Sequence, residues 1–469
     1  MSKLTPIDLS FLLLETPSRQ MHMAAYQLFK LPAREKNTFI PKLLRAFRNS
    51  EVAKPFNQKL KWLDKGVASW EPADVDPNFH IRHLAVPAPG RMEDFFQIIS
   101  FLNMPLLDRA RPLWECYVIE GIEDDQFAVF IKVHHAMIDG MGAMKLFDLS
   151  LSRSATDKSI NSMWMPFDKE PRSKRPGGGK PQVQQLLARL GKLPTDLLQM
   201  GASLADLGAQ NLRLKPSAAS LPFGAQKTLF NHTASSSERR YANCEMSLAR
   251  VKALAKATGT TVNDVVMTLI DNSLHGYLKE HKATTNKPLV AVMAMTVRSE
   301  GDTASGGNQA SIELVSMGEP KAALGQRLQQ MHASTSGVKS RSSKLPKSVR
   351  SLYSLLIFGS ATLPDMAAAF KAIPSGNLVI SNMVGPKDQR YLAGARLTAF
   401  HGCPIIPPGA GLNVTFVSVH DTICLSVGSV PEAMDNPYRL TRLILESLDE
   451  LERISMPKKA AKRAPRKKK

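Results

Sequence analysis

Phe127-Ala128-Val129-Phe130-Ile131-Lys132-Val133, followed by His134-His135-Ala136-Met137-Ile138-Asp139-Gly140, is the stretch on which the reading of this chain turns. The first seven residues form an apolar run of β-branched and aromatic side chains and predict a buried strand. That strand runs into two histidines, with an acid four residues beyond the second and then a glycine. On a strand the two imidazoles point to opposite faces. One can face a cleft and move protons near neutral pH, while the other packs or orients the turn. Gly140 and Gly142 let the backbone turn sharply beyond the pair. The chemistry this implies is proton abstraction by an imidazole.

Working outward, Trp114 to Ile119 predicts a strand that pairs with Phe127 to Val133 as a hairpin around Gly121-Ile122-Glu123-Asp124-Asp125. Met23 to Leu31 reads as another strand. Helical spacing marks Asn37 to Arg48, Phe95 to Leu102 (closed by Pro105) and Met141 to Leu149. Residues 1–150 therefore form one α/β unit. Residues 151–239 read as a linker. Ser152 to Lys180 is polar and ends in Pro176-Gly177-Gly178-Gly179-Lys180, and Leu186, Leu187, Leu190, Leu193, Leu197, Leu198, Leu204 and Leu207 follow at the spacing of amphipathic helices, broken by Pro194. Packing between the two halves and contact with a lipid surface both suit that leucine-rich face.

Residues 240–456 form a second α/β unit. Helices are predicted at Leu248 to Ala257, Thr261 to Leu278, Lys321 to Thr335 and Pro437 to Ile454. Thr260 or Thr261 is the expected cap of the second, with Asp264 in its first turn. Strands are predicted at Leu289 to Val297, Ala310 to Val315, Val379 to Ser381, Gly411 to Val419 and Thr422 to Val427. Residues 457–469 read as a disordered basic tail.

The chain has 469 residues and a net charge of +20, with a pI near 9.8. Lys458, Lys459, Lys462, Arg463, Arg466, Lys467, Lys468 and Lys469 carry eight of those charges, leaving a body of about +12. That balance favours anionic partners such as phosphate-bearing molecules or lipid headgroups and carries no signature of sequence-specific nucleic-acid binding. Cys116, Cys244, Cys403 and Cys424 show no CxxC spacing, so neither a disulfide framework nor a zinc site is expected, and a reducing cytoplasm fits. No signal peptide is read at the start. The longest apolar stretch, Leu352 to Leu363, is shorter than the ~20 residues of a membrane span.

A metal held by His134, His135 and Asp139 would need a further ligand, and none clusters with them. Asp139 is too close in sequence to reach its neighbour's ring as a charge relay. A structural role suits it better, with Arg298 at the end of the strand-like Ala291 to Val297 as its candidate cation.

The heptapeptide matches the HHxxxDG motif of acyltransferases resembling chloramphenicol acetyltransferase, carnitine acyltransferases and peptide-synthetase condensation domains. Pro112-Leu113-Trp114-Glu115 before Ile119-Glu120-Gly121, Asn263-Asp264, and Ser381-Asn382 before Gly385-Pro386 narrow this. With Asp8, Glu15 and Met21-His22 they resemble the bacterial wax ester synthase / acyl-CoA:diacylglycerol acyltransferase family from about residue 4 to 455. Two departures, Met383-Val384 and Ala294-Met295-Thr296-Val297, stand where that family has Val-Pro and a proline-valine-serine-valine pattern. They bear on substrate preference more than on reaction type.

The resemblance implies two chloramphenicol-acetyltransferase-like α/β (α+β) domains, with mixed sheets flanked by helices and an active-site tunnel at their interface. It implies His135 as catalytic base, His134 as its motif neighbour, and Asp139 with Gly140 and Arg298 as the structure of the turn. Asn263 and Asp264 would either contact substrate or cap a helix. Ser381 and Asn382 would either donate hydrogen bonds near the reacting carbonyl or stabilise a turn. Pro112-Leu113-Trp114 would shape a strand entry. Met293, Met295, Leu355, Leu356, Ile357 and Phe358 are candidate tunnel walls, with core packing as the plainer alternative. The partners implied are a fatty acyl-CoA co-substrate and a long-chain alcohol or diacylglycerol, without cofactor or metal. The alternative donor is an acyl group on a carrier protein. The expected place is cytoplasmic, at the periphery of an inner membrane or lipid inclusion and in contact with its anionic surface.

Overall fold

In the computed structural model, residues 2–4, 6–63, 67–167, 224–296, 310–344, 374–407 and 409–456 are described. The first half contains β1 (Ser2–Lys3), α1 (Pro6–Leu14), β2 (His22–Lys30), α2 (Phe39–Arg48), β3 (Gln58–Leu63), β4 (Val67–Pro72), α3 (Pro77–His80), β5 (Ile81–Ala85), α4 (Met92–Asn103), β6 (Trp114–Ile122), β7 (Gln126–His134) and α5 (Gly140–Ser150). The apolar run of β7 is buried along almost its whole length because helices cover both faces of its sheet. Phe39, Ile40, Leu43, Leu44 and Phe47 of α2 pack on one face with Phe29, Phe127, Val129 and Ile131. On the other face Phe95, Phe96, Ile99 and Leu102 of α4 meet Tyr26, Tyr117, Ala128 and Phe130. The β6–β7 hairpin predicted from sequence forms, antiparallel, with Asp124 and Asp125 at positive φ in its turn.

The second half contains β8 (Arg240–Ser247), α6 (Leu248–Thr258), α7 (Val262–Glu280), β9 (Val290–Thr296), β10 (Ala310–Ser316), α8 (Leu324–Lys344), β11 (Leu378–Val384), β12 (Tyr391–Leu392), β13 (Ala395–Cys403), β14 (Leu412–Val419), β15 (Thr422–Ser429) and α9 (Pro437–Ser455). Its six-stranded sheet runs β10-β9-β11-β14-β15-β8 and mixes parallel and antiparallel pairs. Thr261 is the cap of α7, in a reciprocal capping box with Asp264. Met293, a candidate tunnel wall, packs in this core. Leu355, Leu356, Ile357, Phe358, the leucine-rich helices, Arg298 and the basic tail lie outside the described residues, as does the side chain of Met295.

Tyr391 to Cys403, not predicted as strand, joins the two halves. The first sheet runs β12-β13-β2-β7-β6-β5. β13 pairs antiparallel with β2 from Arg396 opposite Lys30 to Cys403 opposite Ala24, with a bulge between Leu397 and Ala399. Without it β2 would present an open edge. Polar pairs line the junction between the halves: His401 Nε2 lies 2.8 Å from Glu245 Oε1, and Arg239 donates to the Ser18 carbonyl at 2.8 Å. Asn103 bonds Tyr241, and Asn243 bonds Tyr26.

Trp114, at the start of β6, is fully buried. Its ring stacks on His80 at 4.6 Å and Trp164 at 5.1 Å, and its indole N–H donates to the Phe56 carbonyl at 2.9 Å. Trp114→Ala leaves a large cavity and an unpaired carbonyl. It is expected to cost about 3–5 kcal/mol, read as a lowered midpoint in urea denaturation.

Candidate active site

β7 delivers the two histidines as the strand pattern requires. His134 is fully buried and sits opposite His22 across the β2–β7 ladder. Its Nδ1 accepts the Ala136 N–H at 3.1 Å, which closes the turn and leaves the proton on Nε2. Nε2 faces Glu15 Oε1 at 3.4 Å, close enough for charge attraction but off line for a hydrogen bond. His135 is only partly buried and stacks on Phe11 of α1, with ring centroids 4.4 Å apart and 24° between planes. Burial pushes its pKa below the ordinary histidine value, against the opposing pull of Asp139 and Asp8. His135 is therefore a neutral imidazole near pH 7, able to accept a proton.

Glu15 anchors this arrangement from the end of α1. Its Oε1 accepts the Met21 N–H at 3.1 Å and its Oε2 accepts from Arg109 at 3.2 Å. Met21 in turn accepts the His135 N–H on its carbonyl at 3.0 Å. Burial alone would raise the Glu15 pKa, but His134, the Met21 N–H and Arg109 together hold it at about 2. Behind it, Lys132 is wholly buried with its ammonium on the carbonyls of Leu102 and Pro105, and burial lowers its pKa to about 8. His22 Nε2 lies 2.9 Å from the Asn103 carbonyl, and burial with the nearby Lys132 charge pushes its pKa down to about 3.

Asp139 caps α5: its carboxylate accepts the Gly142 N–H at 2.7 Å. A Cβ on Gly142 would sit 3.2 Å from that carboxylate and 3.0 Å from Ile138, so the glycine keeps the cap open. Across from it, Met383 of β11 places its sulfur 3.8 Å from where a Cβ on Gly140 would stand. The next residue back, Asn382, donates to Asn263 Oδ1 at 3.2 Å. The structure thus joins two segments that lie far apart in the chain. Asp264 is turned elsewhere. Besides the Thr261 N–H, its carboxylate meets His332 Nδ1 at 2.7 Å and Thr335 Oγ1 at 2.5 Å, so its oxygens are taken up in anchoring α7. Ser381 sits in β11 opposite Thr415, and strand alternation turns it away from the face of Asn382.

Phe11, Arg109, Lys132 and His332 escaped the sequence reading. Lys132 had a legible signal, a lone cation inside an apolar strand; Phe11 and Arg109 had none, since only the fold brings them to the turn. Among the described residues no group of three His, Cys, Asp or Glu side chains is placed to hold a metal ion.

Comparison with known proteins places this geometry. Residues 4–266 match the wax ester synthase/diacylglycerol acyltransferase catalytic domain, and residues 306–452 match the WS/DGAT C-terminal domain. A protein of Mycobacterium tuberculosis named "Probable diacylglycerol O-acyltransferase Tgs4" is 50% identical over 459 residues, covering 96% of this chain and 97% of that one. Another from the same species, named "Probable diacylglycerol O-acyltransferase tgs2", is 32% identical over 457 residues, covering 96% and 99%. Among solved structures, the wax ester synthase/diacylglycerol acyltransferase of Marinobacter aquaeolei superposes with a TM-score of 0.74 at 27% identity, covering 97% of this chain and all of that one. The first condensation domain of the calcium-dependent antibiotic synthetase shares the fold at 13% identity, with a TM-score of 0.57 and coverage of 98% and 97%. The fold and the histidine turn define an acyltransferase of the HHxxxDG class. Within that class, the chain belongs to the wax ester synthase/diacylglycerol acyltransferase family.

Two outcomes follow from the site. With His135 serving as the base, activity should hold to lower pH than an ordinary histidine allows, because the burial that depresses its pKa delays its protonation. The acid limb of kcat/KM against pH is expected below about 6.5. Glu15→Ala should free Met21 and the His135 backbone, lowering kcat about tenfold or more with little change in KM for the acyl donor; Glu15→Gln, which keeps an acceptor for the Met21 N–H, should recover part of the loss.

Proposed function

We propose that the chain transfers a long-chain acyl group from acyl-CoA to the free hydroxyl of a diacylglycerol or to a long-chain alcohol, with His135 as general base. The observation that carries this is the placement of His135: tied by its backbone to Met21, stacked on Phe11 and partly exposed, with burial pushing its pKa below the ordinary histidine value. His135 takes the hydroxyl proton as the oxygen attacks the thioester carbonyl. The tetrahedral oxyanion collapses with cleavage of the C–S bond, and the imidazolium returns the proton to the CoA thiolate. No acyl-enzyme, cofactor or metal enters this scheme; acyl-CoA is a co-substrate. His134 acts as the buried staple of the turn, with Asp139 and Gly140 shaping it. Asn263 and Asn382 bond each other within the second half, next to Met383, on the side where a tunnel for two apolar chains would run. Diacylglycerol is the acceptor that the names of the mycobacterial relatives favour.

Purified protein given palmitoyl-CoA should release free CoA only when an acceptor is present, across a panel of diacylglycerols and alcohols. His135→Ala should reduce that release by about 10²-fold or more. Retained turnover in that variant would remove His135 as the base, and CoA release from an acyl-carrier donor alone would replace acyl-CoA.

No helix among the described residues is long and apolar enough to cross a membrane. We place the protein at the periphery of an anionic membrane or lipid inclusion in the cytoplasm, with the basic tail contributing Coulomb attraction. A chain ending at Met456 should float less well than the full chain with phosphatidylglycerol vesicles at low salt; equal flotation would remove the tail from this role.

A further inference from the structure

Two buried side chains from opposite halves, Gln20 and Arg239, exchange hydrogen bonds at the loop that holds His135. That loop, residues 15–22, leaves α1 at Glu15 and enters β2 at His22. Its Met21 carbonyl takes the His135 N–H at 3.0 Å. Arg239 stands just before β8 in the second half and is 3% exposed. Its Nη1 donates to the carbonyls of Ser236 and Glu238 at 3.1 and 2.7 Å and so shapes its own turn. Its Nη2 crosses to the Ser18 carbonyl at 2.8 Å. Gln20 answers in the opposite direction, its amide donating to the Ser237 carbonyl at 2.8 Å. Residues 18–20 and 236–239 are thus clasped by two bonds running opposite ways.

The Gln20 amide also donates to the Met104 carbonyl at 3.2 Å, just beyond α4. The neighbouring carbonyls of Leu102 and Pro105 take the Lys132 ammonium, and that of Asn103 lies 2.9 Å from His22 Nε2. Side chains from β2, β7 and the loop therefore meet every carbonyl at this end of α4, and Gln20 carries that anchorage on to the second half. Arg239 makes no ion pair with a carboxylate among the described residues, and burial lowers its pKa. A buried cation held by carbonyls is a costly source of stability. What its planar fork supplies is direction, since one guanidinium spans three carbonyls at fixed angles. We propose that Arg239 and Gln20 are positioning residues for proton transfer at His135, clasping the 15–22 loop to the second half so that Met21 holds the histidine while the halves are docked. The effect on turnover rests on the acyl-transfer reading above; the effect on the ring does not.

Arg239→Met and Gln20→Met keep side-chain bulk and remove the donors. Each should lower kcat for palmitoyl-CoA with diacylglycerol about tenfold, with KM for palmitoyl-CoA within about twofold of the parent. Arg239→Lys restores a donor without the fork and should recover part of the loss. A loop freed from the clasp admits water to the ring, so the His135 pKa should rise toward the ordinary value of about 6.5. That pKa is read by NMR titration of carbon-13-labelled histidine, the signal being assigned by its loss in His135→Asn. Asp8, Asp139 and His134, the charged or titratable groups that act on the ring, are the same in all these variants. A smaller folded fraction scales the rate and leaves the pKa where it was. Asn243→Ala removes the junction bond to Tyr26, away from the loop, and should keep kcat within about twofold and the His135 pKa at the parent value. An unmoved His135 pKa in both methionine variants would overturn the proposal, as would an equal change in Asn243→Ala. If the parent releases no CoA with any acceptor, the acyl-transfer reading fails while the NMR titration still decides the clasp.

Discussion

Glu15 must keep its charge in a place that water scarcely reaches, and the geometry of the histidine turn follows from how it does so. Burial works toward protonating it, and three groups work the other way: the nearby His134 ring, and the Met21 N–H and Arg109 as donors. The ionised carboxylate fixes Met21 by its N–H, and Met21 fixes His135 through its carbonyl. The position of the imidazole is therefore set by backbone hydrogen bonds from a loop after α1. The side chain itself needs only the Phe11 face to settle its ring plane. His134 contributes from below, since its Nδ1 holds the Ala136 N–H and so determines where the chain leaves β7.

The second half of the molecule acts on the same turn. β13 closes the first sheet against β2, the strand whose start carries His22 opposite His134. β11 brings Met383 to Gly140 and Asn382 to Asn263. With one half forming the floor and the other the flank, the two cannot separate without disturbing the strand that bears the histidines. Multiple buried polar pairs at the junction add directionality to that contact, because each loses its partner if the halves shift.

Local pattern made much of this legible. β7, the β6–β7 hairpin, α4, α7 and α9 follow from period and caps, and their ends fall within a few residues of the predicted ones. The motif marked where the chain turns; the Asp139 bond to the Gly142 N–H is read from the fold, and its expected partner Arg298 lies outside the described residues. What sequence could not give was long-range partnership. β13 lies in a stretch with glycines, a proline and a histidine, and becomes a strand because β2 offers an open edge. Glu15 was visible only as part of a family's opening; its link to Arg109 exists only once the segment after α4 lies against the end of α1. Asp264 was open between capping and substrate contact, and the choice came from His332 and Thr335 on α8, residues without a motif of their own.

The same burial that keeps His135 neutral also makes it a weaker base, and the fold answers that cost locally. An imidazolium formed during proton transfer would sit beside the first turn of α5, whose free N–H groups carry partial positive charge and oppose it. Asp139 occupies the cap of that helix, takes up the Gly142 N–H and leaves a net negative charge close to the ring. Its Coulomb attraction, with that of Asp8, pulls the His135 pKa back toward the ordinary value. The carboxylate thus shapes the turn and, in the mechanism proposed above, would favour the charged imidazole. In that mechanism an aspartate that is no relay, and that bonds to backbone instead of to the histidine, would still act on proton transfer.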